Sequence, residues 1–471
     1  MREATMSATL LRRFLFAAML AGLVAAAARA DDRTPPAGDS LPLPGSELAD
    51  YVARPDASTS WREIGSGRVR QAEVAEYVLT SQTWRGIQWK HQLFVLRPAN
   101  MKKDERHALL FIHGGRWKPE YETPDKQALP REAELFVRLA NAIGAPVAVL
   151  RQVPFAPMFD RREDALIAYT FDRYLQTADS DWPVLLPMVK AAVRAMDAVQ
   201  SIARERWGAS LESFTVSGAS KRGWTTWLTA ATDSRVMAVA PMVIDVLNMG
   251  AQMDHQRETW GDVSDQIRDY SALDIPARLR TPQGAALLSI VDPYSYRERL
   301  TQPKLILLST NDRYWPLDAL KLYWPGLPGP KHVLYVPNQG HGLRDTDRVI
   351  GGVSALHRYA AAGKPLPGTN WSFSSPPSAL RIQVRADRPV QGVRIWSARS
   401  PTLDFRSARW MSSECRKDRD GYTCSAARAS GGYTAAFAET TFRDKGSPLF
   451  STTTTVCIAR PDAGSVGLPD C

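Results

Sequence analysis

The chain has 471 residues, 44% hydrophobic and 23% charged, a balance that excludes a disordered chain and points to a soluble globular protein rather than a membrane one. Its length exceeds one ordinary domain and predicts two. The formal net charge of +10 is dispersed rather than gathered into one run and reads as a solvated surface; no nucleic-acid-binding motif accompanies it.

In chain order, residues 1–30 predict a secretory signal. Arg12 and Arg13 supply the positive end, residues 14–27 the apolar run, and Ala28-Arg29-Ala30 a small-residue cleavage site. The run is too short for a typical transmembrane helix, although an uncleaved anchor is the alternative, and no later segment has the length to span a bilayer. Export, to the periplasm or beyond, is the expectation. Residues 31–46 are rich in Pro, Asp and Gly and predict a flexible lead-in.

From 47 to 370 the chain alternates strands and helices. Short apolar runs at 74–79, 92–96, 108–112, 146–150, 213–217, 236–244, 305–309 and 332–336 predict strands. Helical periodicity appears at about 162–175 and 184–206, after 217 through Thr232, and at 346–361. Apolar strands separated by helices require a mostly parallel sheet covered on both faces, so the fold class is α/β, doubly wound. The polar, Pro-rich stretch from Thr369 to Ser378 predicts a linker. Beyond it, alternating segments at 380–384, 392–396, 432–436 and 452–458 predict a β-rich, sandwich-like domain over 371–471.

All four cysteines, Cys415, Cys424, Cys457 and Cys471, lie in that last part. An even set in an exported chain predicts two disulfides, with Cys415–Cys424 and Cys457–Cys471 the simplest pairing of three by loop length. A zinc site is the rival, but no Cys-x-x-Cys spacing or nearby His supports it, and neither a metal nor another cofactor is expected. The 14 Trp residues are expected mostly in the core.

The segment Gly218-Ala219-Ser220-Lys221-Arg222-Gly223 sits where a strand meets a helix. A nucleophilic serine needs a sharp turn there, and small neighbours permit it, as in the G-x-S-x-G elbow. Here the second glycine is displaced by one, with Arg222 in its slot; an ordinary tight strand–helix turn is the alternative. A base and an orienting carboxylate should follow on loops after late strands, in the order serine, acid, histidine. Asp312, after the run 305–309, and His341, between two glycines after the run 332–336, meet that order in a chain with only seven histidines. Taken singly, Asp312 could cap a helix and His341 could be a surface loop residue. Asp245, at the end of the run 236–244, is the second candidate acid.

Acyl transfer also needs oxyanion donors. The backbone N–H of Lys221 is one candidate, and the loop His113-Gly114-Gly115 is placed to give the other. Lys221 and Arg222 could recognise an acidic substrate group; alternatively Arg222 turns back to anchor a neighbouring loop by pairing with a buried carboxylate. Glu163 and Asp164 open a helix and could favour its N-terminus or face the pocket.

Taken together, the segment Gly218 to Thr225, Tyr51-Val52-Ala53-Arg54-Pro55-Asp56, Glu163 to Thr170, Val243 to Asn248 and Thr310-Asn311-Asp312 resemble the signature of the PhoPQ-activated pathogenicity-related protein family, from about residue 47 to 450. The resemblance implies an exported protein of α/β-hydrolase fold, with Ser220, Asp312 and His341 at the triad positions and a link to virulence or antimicrobial-peptide resistance. It supplies no substrate. The expected function is a serine hydrolase acting on a small-molecule or peptide ester or amide. The alternative is a secreted binding or signalling protein that retains the fold without turnover.

Overall fold

The computed structural model describes residues 46–123, 133–461 and 465–466. The expected signal segment and nearly all of the lead-in lie outside the described residues.

Three antiparallel strands open the sheet: β1 (Ser60–Val69), β2 (Ala72–Trp84) and β3 (Ile87–Arg97). Arg85 and Gly86 turn between β2 and β3 with φ of 52° and 76°, the pair of positive angles that a two-residue hairpin uses to match strand twist. β1 is a strand the hydropathy pattern did not reveal, because all of it is exposed or only part-buried.

Six strands follow in parallel: β4 (His107–Ile112), β5 (Val147–Leu150), β6 (Ser213–Ala219), β7 (Val236–Met242), β8 (Lys304–Ser309) and β9 (Lys331–Val336). Their order is β1-β2-β3-β5-β4-β6-β7-β8-β9. β5 and β8 are buried along their whole length, as strands covered on both faces must be. Helices Leu185–Trp207 and Lys221–Thr232 pack in the core on one face; Ala133–Ile143 and Thr346–Ala361 pack on the other. This is the α/β-hydrolase fold. From β4 the chain steps one way to β5 and the other way to β6, and such a switch opens a crevice at the carboxyl ends of the strands.

Between β7 and β8 lies an insert that the apolar pattern did not show. It contains helices Met249–Trp260, Arg268–Ser271, Ile275–Arg278 and Pro282–Val291. Two of these have four residues, too short for a periodicity to register. Buried Asp292 ties the insert's ends together by accepting from the N–H groups of Asn248, Met249 and Tyr294.

The C-terminal region is β-rich and adds a second sheet. Its strands are β10 (Thr369–Ser374), β11 (Ala379–Ala386), β12 (Gly392–Ser400), β13 (Met411–Glu414), β14 (Arg416–Asp418), β15 (Gly421–Ala427), β16 (Tyr433–Phe442), β17 (Phe450–Thr453), β18 (Cys457–Ala459) and β19 (Ser465–Val466). β10 occupies much of the stretch expected to be a linker. Its Trp371 and Phe373 alternate with exposed polar residues and pair with β11, so composition misled where alternation decided. The sheet β10-β11-β15-β14 packs on β12, β16 and β18 through Leu380, Ile382, Val384, Ile395 and Ala438. β17 pairs with β9, so one layer continues the central sheet. A disulfide joins Cys415 to Cys424. Cys457 is also disulfide-bonded, and Cys471 lies outside the described residues.

Candidate active site

Ser220 follows β6 directly and opens the helix Lys221–Thr232 with φ 57° and ψ −127°. A non-glycine residue reaches this region only under strain. The surroundings hold it there: Ser220 donates its N–H to Met242 O at 2.8 Å and accepts from Trp224 N at 3.0 Å. Gly218 explains how Arg222 fits two places after the serine. A Cβ on Gly218 would lie 2.7 Å from the Arg222 carbonyl oxygen and 2.9 Å from its Cβ. Gly223 is needed as well, since a Cβ there would meet Ile244 Cγ2 at 2.6 Å. The displaced glycine therefore serves the packing of the helix on β7, and Gly218 makes room for Arg222.

Asp312 and His341 stand on the loops after β8 and β9. His341 Nδ1 lies 2.8 Å from Asp312 Oδ2 and 3.1 Å from Oδ1. Tyr314 N donates to Asp312 Oδ1 at 2.9 Å, and the Tyr314 ring lies against the imidazole with centroids 4.2 Å apart. Burial, and then the charges of Asp164 and Asp312, push the Tyr314 phenol up to about 12. His341 Nε2 is buried and has no hydrogen-bond partner among the described residues. The Ser220–His341 hydrogen bond is therefore not made here. The two side chains instead line one pocket of about 610 Å³.

Asp245, the second candidate acid, is not brought to His341. It is buried, and Tyr323 donates to its Oδ1 at 2.6 Å. Burial, reinforced by the charge of Asp312, raises its carboxyl to about 7. A group that resists ionisation is a poor partner for an imidazolium.

Lys221 and Arg222 do not present free cations to a ligand; Arg222 takes the other of its two readings, an anchor paired with a carboxylate. Arg222 makes a bidentate pair with Glu163, at 2.8 and 2.6 Å, and donates Nε to Val153 O at 2.5 Å. Burial would raise the Glu163 carboxyl, but the hydrogen bonds and charge of Arg222 outweigh it and hold it below the usual carboxylate range. Lys221 Nζ donates to Asp164 Oδ2 at 2.8 Å, and Tyr270 donates its hydroxyl to the other oxygen at 3.2 Å. Asp164 lines the pocket, one of its two readings from the sequence, whereas Tyr270 is a lining residue that no sequence motif marks.

The loop after β4 carries Gly114 and Gly115, the latter at φ 130°. Gly114 packs against the Arg222 guanidinium with no room for a side chain, so the Arg222–Glu163 pair braces this loop beside the elbow. Lys221 is the first residue of its helix, which directs its N–H toward the strand ends. The described residues hold no group of three or more His, Cys, Asp or Glu suited to a metal.

The model of the PhoPQ-activated pathogenicity-related protein family matches residues 48–406. The chain belongs to this family. Autocrine proliferation repressor protein A of Dictyostelium discoideum is 30% identical over 385 residues, covering 77% of this chain and 76% of that protein. Among solved structures, the family member is similar to an acetyl xylan esterase from Paenibacillus sp. R4, at 15% identity and TM-score 0.45, over 67% of this chain and 90% of that one. It is also similar to acetyl xylan esterase 1 from Thermoanaerobacterium sp. JW/SL YS485, at 15% identity and TM-score 0.43, over 66% and 94%.

Proposed function

We propose that this family member is an exported serine hydrolase that cleaves an ester or amide through an acyl-enzyme. The observation that carries the reading is one pocket shared by a strained serine at an elbow and a histidine already paired with a carboxylate. In this reading Asp312 fixes the tautomer of His341, leaving Nε2 to take the Ser220 proton. A small movement that closes the unmade Ser220–His341 bond on substrate binding is usual for such sites. Ser220 Oγ then attacks the carbonyl carbon. The oxyanion is held by Lys221 N–H and a donor of the Gly114-Gly115 loop. His341 passes the proton to the leaving group, and water resolves the acyl-enzyme by the same route. Besides substrate and water, these steps use only groups of the chain.

Export belongs to the proposal. It is supported by the disulfide Cys415–Cys424, which an oxidising compartment favours, and is compatible with the finding that no described helix is long and apolar enough to cross a membrane.

A fluorophosphonate probe tests the chemistry. The wild-type protein is expected to label, and Ser220→Ala and His341→Ala are expected not to. A folded wild type that does not label overturns the reading. It would then favour the second one, a secreted binding or signalling protein, for which the unmade Ser220–His341 bond and the likeness to the proliferation repressor speak.

A further inference from the structure

We propose that the pocket beside Ser220 holds the acyl part of the substrate and selects an uncharged, apolar acyl chain longer than acetyl. This rests on the serine-hydrolase reading above. The pocket's walls come from the insert and from the segment after β7: Ile244, Met249, Met253, Ile267, Ile275 and Leu279. Each is at least nine-tenths buried, so the space is a recess walled by interior side chains, open at its mouth. The recess and the solvent at its mouth together span about 610 Å³.

A recess that runs inward from the serine favours the acyl half. The acyl carbon stays bonded to Ser220 between the two steps, whereas the leaving group must depart and water must enter. An apolar recess beginning at the nucleophile suits the part that stays. Acylation forms the Ser220 Oγ–carbon bond and breaks the bond from that carbon to the leaving oxygen. The serine proton passes through His341 to that oxygen. Deacylation reverses the roles, with water as nucleophile and a carboxylic acid as product.

The charge pattern excludes an ionic chain. The two charged residues on the pocket wall, Asp164 and Lys221, are paired with each other at 2.8 Å, and Tyr270 satisfies the second oxygen of Asp164. A carboxylate entering the pocket would lose its water and find no unpaired Lys or Arg there, only the unpartnered Trp315 Nε1 and His341 Nε2 at the wall. An alkyl chain would bury its methylenes against side chains that are already dry.

The test compares p-nitrophenyl acetate, butanoate, hexanoate and octanoate with the hemisuccinate, which has the length of butanoate but ends in a carboxylate. Fluorophosphonate labelling is run on the same wild-type preparation. The expected result is a rise in kcat/KM of about fourfold per added methylene, from acetate at least to hexanoate. The hemisuccinate is expected at least tenfold below butanoate. Ile275→Phe, and independently Met253→Phe, should lower the ratio of hexanoate to acetate activity at least tenfold. A labelled wild type with flat or falling activity along the series, or one that prefers the hemisuccinate, overturns the pocket assignment and leaves the serine hydrolase standing. A folded wild type that does not label removes both.

Discussion

Three carboxylates near the strand ends show how a residue's surroundings set its role. Asp312 Oδ2 takes the shorter contact from His341 Nδ1, and Oδ1 accepts from the Tyr314 N–H and takes the longer His341 contact. Asp164 is neutralised by a lysine. Asp245 has a tyrosine hydroxyl and no cation, and its carboxyl sits near 7 instead of 3.8. The raised value has a signed consequence. Between about pH 4 and 7 the folded protein keeps a proton on Asp245 that the unfolded chain has lost, so this group's contribution to stability declines as pH rises through that window. Asp245→Asn keeps the oxygen that Tyr323 needs and removes the titration. Its stability relative to wild type should therefore be small near pH 4.5 and grow toward pH 8, by up to about 4 kcal/mol from a shift of about three pKa units. Urea denaturation of both proteins at the two pH values checks this, and an equal difference at both refutes it.

The elbow is an element in which every residue is fixed by its neighbours. Gly218 admits the Arg222 backbone, Gly223 admits Ile244, and Arg222 reaches back to Glu163 and presses on Gly114. Gly218→Ala should destabilise the fold by about 1–3 kcal/mol, the usual range for overpacking, and should suppress labelling of Ser220 by displacing the turn. Gly65→Ala is the control. That glycine lies on exposed β1 with nothing within 4 Å of an added Cβ, and both labelling and melting temperature should stay as in wild type. Loss of labelling in the control, or its retention in Gly218→Ala, contradicts the packing account.

At the scale of the molecule, the β-rich C-terminal region supports the loops that hold Asp312 and His341. Asn311 Nδ2, next to Asp312, donates to Ala408 O at 2.7 Å. Asn338, three residues before His341, exchanges two hydrogen bonds with the Trp410 backbone, at 3.0 and 2.8 Å. Asn338→Ala leaves a part-buried N–H and carbonyl of Trp410 without their side-chain partner. A loss of about 1–3 kcal/mol of stability is expected, together with slower labelling of Ser220 because the His341 loop is freed. A denaturation curve and a labelling time course measure the two effects, and wild-type rates in a stable variant would show that the His341 loop holds without this tie.

Much of this was written locally. The parallel strands β5 and β8 are legible because a strand buried on both faces must be apolar throughout. Ser220, Asp312 and His341 stand out because a turn needs glycine and because seven histidines leave few choices. β1 and the insert escaped, the first for want of a buried face and the second because its helices are short. By itself the sequence determined the α/β class and marked Ser220, Asp312 and His341 as candidates, since each signal, an apolar run or a glycine-flanked turn, lies within a few positions. Only the tertiary structure decided which carboxylate His341 meets, and that Lys221 and Arg222 are occupied by Asp164 and Glu163. Those partners lie 57 and 59 residues apart in the chain, and a side chain's partner at that separation is set by how the elements pack, not by its neighbours in sequence.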